Sequence, residues 1–248
     1  MPELLLSAAV AFLFAITHAF GARMTFLHSA PRSIWLSLAG GASVAYVFVH
    51  LLPELAEHQD AVGEAMRHDG TLAAIESQIW LIALAGLVVF YGLERLARGG
   101  LRDEDEAGRD APPPSGVFWT HLGSFAVYNF IVGYLLLHRE EAGLGSLLLY
   151  AFAMALHFLV NDHGFRAQHG RAYDREGRWL LAAAPVAGWA LGLAVDVPPI
   201  ALSALFAFLA GGIVLNVLKE ELPEDRESRF WAFALGAGLY AALLIAVG

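Results

Sequence analysis

Eight apolar runs, each close to the length of a bilayer-spanning helix, constrain this chain more than any other feature. They occupy residues 3–26, 33–55, 76–97, 116–137, 144–166, 178–196, 199–219 and 229–248. A helix needs about 20 predominantly apolar residues to cross the hydrocarbon core. The runs are continuously apolar rather than alternating, which favours helices over a β-barrel. Only 16% of the 248 residues are charged, against about 25% in soluble domains. The expected fold class is therefore all-α: a polytopic membrane protein of eight transmembrane helices, forming one transmembrane domain over residues 1–248 with the lipid bilayer as its first partner.

Lys and Arg set the expected orientation. With both termini outside the cell membrane, the inner side collects Arg23, Arg32, Arg95, Arg98, Arg102, Arg109, Arg166, Arg171, Arg175, Arg178, Lys219, Arg226 and Arg229, and only Arg67 and Arg139 fall outside. The N-terminal run has Glu3 where a cleaved signal would carry positive charge, so it reads as a retained span. A net charge of −9 argues against nucleic acid as a partner. The chain has no cysteine, which excludes disulfides, thiolate metal sites and thiol nucleophiles.

Two segments between the runs are dense in charge. "RGGLRDEDEAGRDAPPPSG" reads as a flexible cytoplasmic loop over 98–115, with no role of its own. Residues 54–69, acidic and holding His58 and His68, read as a solvated outer turn.

"GGASVAYVFVHLLPEL" in the second run and "GGIVLNVLKEELPED" in the seventh both open on a glycine pair and end on Leu-Pro-Glu. They cross in opposite senses. That is the trace an inverted repeat leaves, relating residues 1–97 to 178–248 around central helices at 116–166.

The central helices carry the polar residues. Tyr128 and Asn129 lie halfway along the fourth run, and His157, Asn161, Asp162 and His163 lie in the fifth. The two runs are antiparallel neighbours, so their midpoints share a depth. His157 and Asn161, four apart, share a helix face; Asp162 is turned a further 100° or so. An ionisable side chain there costs about 2.5–3.5 kcal/mol on insertion scales and persists with a partner, a wet cavity or an ion. Imidazole, carboxylate and amide oxygen form a ligand set for a divalent ion. A buried histidine bonding across helices accounts for His157 as well, and a polar group near the inner surface accounts for His163. His18, His50 and His121 read as structural histidines, with a role as substitute ligands open.

These residues carry a resemblance to the ZIP (Zrt/Irt-like) metal transporter family. "HLLPE" (50–54) is similar to the end of the family's second span and "KEELPE" (219–224) to that of its seventh; "YNFIVG" and "HFLVND" align with its His-Asn-x-x-Asp-Gly and His-Glu-x-Pro-His-Glu motifs. The resemblance implies a 3+2+3 arrangement and a metal site on spans four and five. In the first motif Asn129 and Gly133 remain, while Tyr128 and Val132 replace the His and Asp; in the second His157 remains, while Phe158, Val160, Asn161 and Asp162 replace Glu, Pro, His and Glu. One carboxylate undercompensates two divalent ions, so at most a single reduced centre is implied, from His157, Asp162, Asn161, Asn129 and His163.

The expected function is divalent metal transport, zinc-like, through that midplane site, with metal as cargo, no resident cofactor and no covalent chemistry. The alternative keeps the fold without the metal, for another solute or a non-transporting binding role. A haem-binding electron carrier would need two facing histidines at one depth. An intramembrane hydrolase lacks a second carboxylate near Asp162, and no Ser–His pairing stands out. Whether the chain forms a homodimer stays open.

Overall fold

A computed structural model describes residues 2–21, 34–67, 78–107, 115–138, 143–221 and 229–247. The helices are α1 (Pro2–Phe20), α2 (Ile34–Tyr46), α3 (Leu52–Arg67), α4 (Gln78–Ala107), α5 (Ser115–Leu135), α6 (Leu144–Ala172), α7 (Arg178–Gly192), α8 (Pro199–Asn216) and α9 (Phe230–Val247). Among the described residues no strand occurs. This is the all-α architecture that continuous apolar runs demand, because a helix satisfies its own backbone polar groups where water cannot.

Five helical stretches are long and apolar enough to cross a membrane: Glu3–Phe20, Ile34–Asp60, Ile79–Leu96, Leu144–Arg166 and Pro199–Lys219. α9 is apolar throughout but shorter, at Phe230–Ala246. α7 has 15 residues. α5, although 21 residues long, is diluted by Thr120, His121, Ser124 and Asn129. These three pack into the same bundle. α4 continues as helix through residues 98–107, where a loop was expected.

Three helix pairs form the frame: α2 with α9, α4 with α8, and α5 with α7. Each pair crosses on two glycines. A Cβ on Gly41 would collide with the Phe233 carbonyl and one on Gly236 with that of Leu38; Gly86 and Gly211 face Phe208 and Ala83, and Gly133 and Gly188 face Pro185 and Phe130, in the same way. Small residues let backbones touch, which is how helices associate without a hydrophobic driving force.

Two π turns mark matching places. One, Val47–Leu51, joins α2 to α3; the other, Val217–Glu221, follows α8. Gly41 stands six residues before the first, and Gly211 six before the second. That register, with Gly41 opposite Gly211, also brings Leu52-Pro53-Glu54 onto Leu222-Pro223-Glu224. At the first turn the cause is Pro53, which has no N–H and whose ring crowds the carbonyl four residues back; a wider turn relieves both. Pro223 lies outside the described residues. A third π turn, Tyr173–Gly177, follows a kink at Gly170, whose φ of 49° suits glycine alone.

The core centres on α1, α2, α5, α6 and α8, with Phe14, Tyr46, Tyr128, Met154 and Phe158 fully buried. The expected outer turn at 54–69 is instead helix as far as Arg67, and His58 within it is buried. No helix breaker follows Pro53 until Gly63, and Leu55, three residues before His58, keeps that face against the core. His68 lies outside the described residues.

Candidate functional site

Three helices bring one polar group each to a common point. His18 stands in the last turn of α1, Asn129 in the middle of α5 and Asp162 in the second half of α6. Each is 1% exposed. His18 Nδ1 lies 2.8 Å from Asp162 Oδ1, and Asn129 Nδ2 lies 3.0 Å from His18 Nε2. With a neutral ring, Nδ1–H donates to the carboxylate and Nε2 accepts from the amide. With a protonated ring both nitrogens donate, and the amide turns its oxygen toward Nε2. The imidazole is held between an acid and an amide in either state.

Apolar rings fix that geometry. His18 lies against Phe158 with centroids 4.5 Å apart, and Phe158 meets Phe14 edge-on at 5.1 Å. Phe158 occupies the position at which the resemblance would place a metal-binding Glu. Here it forms the wall behind His18.

The site is not saturated. Asp162 Oδ2, Asn129 Oδ1 and the Tyr173 hydroxyl are buried without hydrogen-bond partners. Asp162 Oδ2 passes close to Gly21, where an added Cβ would sit 3.4 Å from it. Burial first, and the nearby Asp162 charge second, hold the Tyr173 hydroxyl well above its ordinary range, so it remains a protonated donor. Tyr173 couples to the Asp162 carboxylate, at a geometry looser than the hydrogen bonds above.

The sequence-predicted residues separate into two groups. Asn129 and Asp162 come together, through His18. His157 and Asn161 bond to each other instead, with Asn161 Nδ2 3.0 Å from His157 Nε2. The His157 ring lies 5.8 Å from that of Tyr128. His163 is half-buried further along α6. Among the described residues, no three His, Cys, Asp or Glu side chains are grouped to hold a metal ion. The donor set that does converge is one imidazole, one carboxylate and one amide. Sequence reasoning ranked His18 as structural; its only signal was an ionisable group deep in an apolar run. It gave no notice of Tyr173, which lies beyond the fifth run.

Other polar contacts lie outside this centre. His121 Nδ1 and His169 Nε2 are 3.0 Å apart, with ring centroids 5.3 Å apart. The two nitrogens thus lie nearly on the line between the rings, the arrangement of one shared proton, which leaves no width for a haem iron. His58 Nδ1 lies 2.9 Å from Ser203 Oγ, a Ser–His pairing that sequence reasoning missed. Both are buried, and His58 rests on Phe206 at 4.6 Å. His50 faces Glu54 at 3.6 Å. Glu94 of α4 and Lys219 of the second π turn form an ion pair.

No family model, curated protein or solved structure matches this chain.

Proposed function

We propose that this chain is a secondary transporter of ZIP-like design, moving a divalent, zinc-like cation through a single reduced site at His18, Asn129 and Asp162. The observation that carries the reading is the convergence of those three side chains from three separate helices. Buried ionisable residues in a membrane bundle mark ion and substrate pathways. Asp162 Oδ2 and Asn129 Oδ1 are oxygen donors without partners. A cation would take these oxygens and draw Asp162 away from His18. One carboxylate leaves a divalent ion undercompensated, so weak binding and easy release are expected, which suits a carrier better than a store.

The proposal includes eight spans in the cell membrane with both termini outside. It also relates the first three to the last three by inverted repetition. The two π turns, each six residues past a crossing glycine, support that relation. So does the pairing pattern, since exchanging the repeats turns α2 with α9 into α8 with α4. Inverted repeats support alternating access by rocking one bundle about a midplane site.

The test is uptake of Zn, Cd, Mn, Fe and Co into proteoliposomes by the unmodified protein and by His18→Ala, Asp162→Asn and His157→Ala. Flux abolished by the first two places the cargo on the three-helix centre. Flux lost only with His157→Ala would move the site to the other face of α6.

A second reading is the ZIP-like fold without a metal, serving another solute. His157 Nε2, the one family histidine retained in α6, is engaged by Asn161 rather than free for a ligand. A melting temperature unmoved by every cation would favour it, because a ligand that binds only the folded state must stabilise that state.

A further inference from the structure

We propose that the Glu94–Lys219 ion pair is a latch that closes one end of the bundle and opens as the two repeats rock apart. The inference rests on the transporter reading.

The pair sits at matched positions. Glu94 is eight residues past Gly86 on α4, and Lys219 is eight past Gly211, where α4 and α8 cross. The two helices therefore run the same way, and the ion pair meets about 12 Å beyond the crossing, at 1.5 Å per residue. At the crossing the backbones touch at Gly86 and Gly211, and just beyond it the Phe90 ring packs against Phe208 and over Gly212. Such a contact is a pivot, and a bond a dozen ångströms away resists its rotation.

The corresponding crossing lacks the bond. On α2 and its partner α9, eight residues past Gly41 and Gly236 stand Val49 and Leu244. Val49 is exposed and Leu244 buried, and neither can carry charge. α2 and α8 point in opposite directions across the bundle under the inverted relation, so these two places lie at opposite ends. One end carries the Glu94–Lys219 pair, and the other apolar contact together with the His58–Ser203 hydrogen bond between α3 and α8.

The chemistry at the closed end suits reversible opening. The Glu94 side chain is 7% exposed and that of Lys219 is 25%. The carboxylate needs the ammonium while it is dry, but the ammonium already touches water and can be hydrated on leaving. Lys219 also lies within a π turn, whose register can revert to α-helix and swing the side chain around the axis by about one residue.

The test uses thiol labelling in a chain that has no cysteine of its own. Asn216, 3% exposed at the end of α8, lies one turn before Lys219. Asn216→Cys in proteoliposomes is treated with a water-soluble maleimide. Slow labelling is expected with the pair intact and with Lys219→Arg, which keeps the charge. Lys219→Gln and Glu94→Gln should each speed labelling at least about fivefold, the low end of a typical coupling free energy. Raising the salt concentration on the single-cysteine protein should act in the same direction but to a smaller extent, because a mostly buried pair is screened less than an exposed one, and it needs no further substitution to fold. Labelling rates that are the same across folded variants and at every salt concentration would make the pair a static anchor and overturn the latch. Labelling needs no cargo, so failure to transport any cation would sink the proposed function and leave this result standing.

Discussion

The two faces of α6 hold nearly the same chemistry and use it differently. On one, His157 and Asn161 lie a turn apart on a single helix and satisfy each other. On the other, Asp162 reaches across the bundle to His18 of α1, which in turn meets Asn129 of α5. The first hydrogen bond is local to one helix; the second arrangement depends on three helices holding their depth and rotation, and keeps oxygens in reserve. A polar motif on one helix is thus no guide to the site. What distinguishes a site is convergence from separate elements, because only that can be altered by moving one element against another.

The comparison breaks most decisively at Asp162. Asp162→Ala strands a buried imidazole and should lower stability by about 3–5 kcal/mol, the range for removing one partner of a buried charged pair. Asn161→Ala removes one hydrogen bond from the buried His157 Nε2 and should cost about 1–3 kcal/mol. Denaturant unfolding in detergent micelles measures both, and equal losses would erase the distinction between the faces.

A smaller effect is expected from moving α5. Gly133 lies one turn from Asn129 and presses on the Pro185 carbonyl, so Gly133→Ala must push α5 from α7 and carry Asn129 with it. The expected loss is about 1–3 kcal/mol, as for overpacking elsewhere. Gly123→Ala on the same helix has nothing within 4 Å. It should be neutral or stabilising by up to about 1 kcal/mol through helix propensity. A thermal melt of both variants separates crowding from propensity.

The smallest effect sharpens the contrast beyond the spans. Burial lowers the pKa of His169 from its ordinary 6.5. The folded state then binds fewer protons than the unfolded one once the pH falls toward 6.5, so stability declines through that range. It levels off below the folded pKa, and it is fully restored above 6.5. Unfolding curves across this window should show the decline in the unmodified protein and a flatter profile in His169→Gln. An unchanged profile would remove His169 as its source.

Much of the fold was legible in the apolar runs. Their order reappears as α1 through α9, with α3 as the continuation of the second, although five helical stretches are long and apolar enough to cross a membrane. The first π turn was written less openly, in Pro53, whose missing N–H forces the backbone to adjust. His58 misled, since acidic neighbours suggested a solvated turn while Leu55 held the helix to the core. His18 was visible but unranked. Its partner Asp162 lies 144 residues away, and no spacing rule reaches that far.

By itself the sequence determined that the chain is helical and membrane-embedded, because about 20 apolar residues at a time leave the backbone no solvent but its own hydrogen bonds. It also determined which helices carry polar groups. Only the tertiary structure decided that His18, Asn129 and Asp162 meet while His157 and Asn161 close on each other. Meeting depends on the depth and rotation of three independent helices: α5 is placed by the glycine crossing with α7, and α1 and α6 by Phe14 and His18 packing on Phe158.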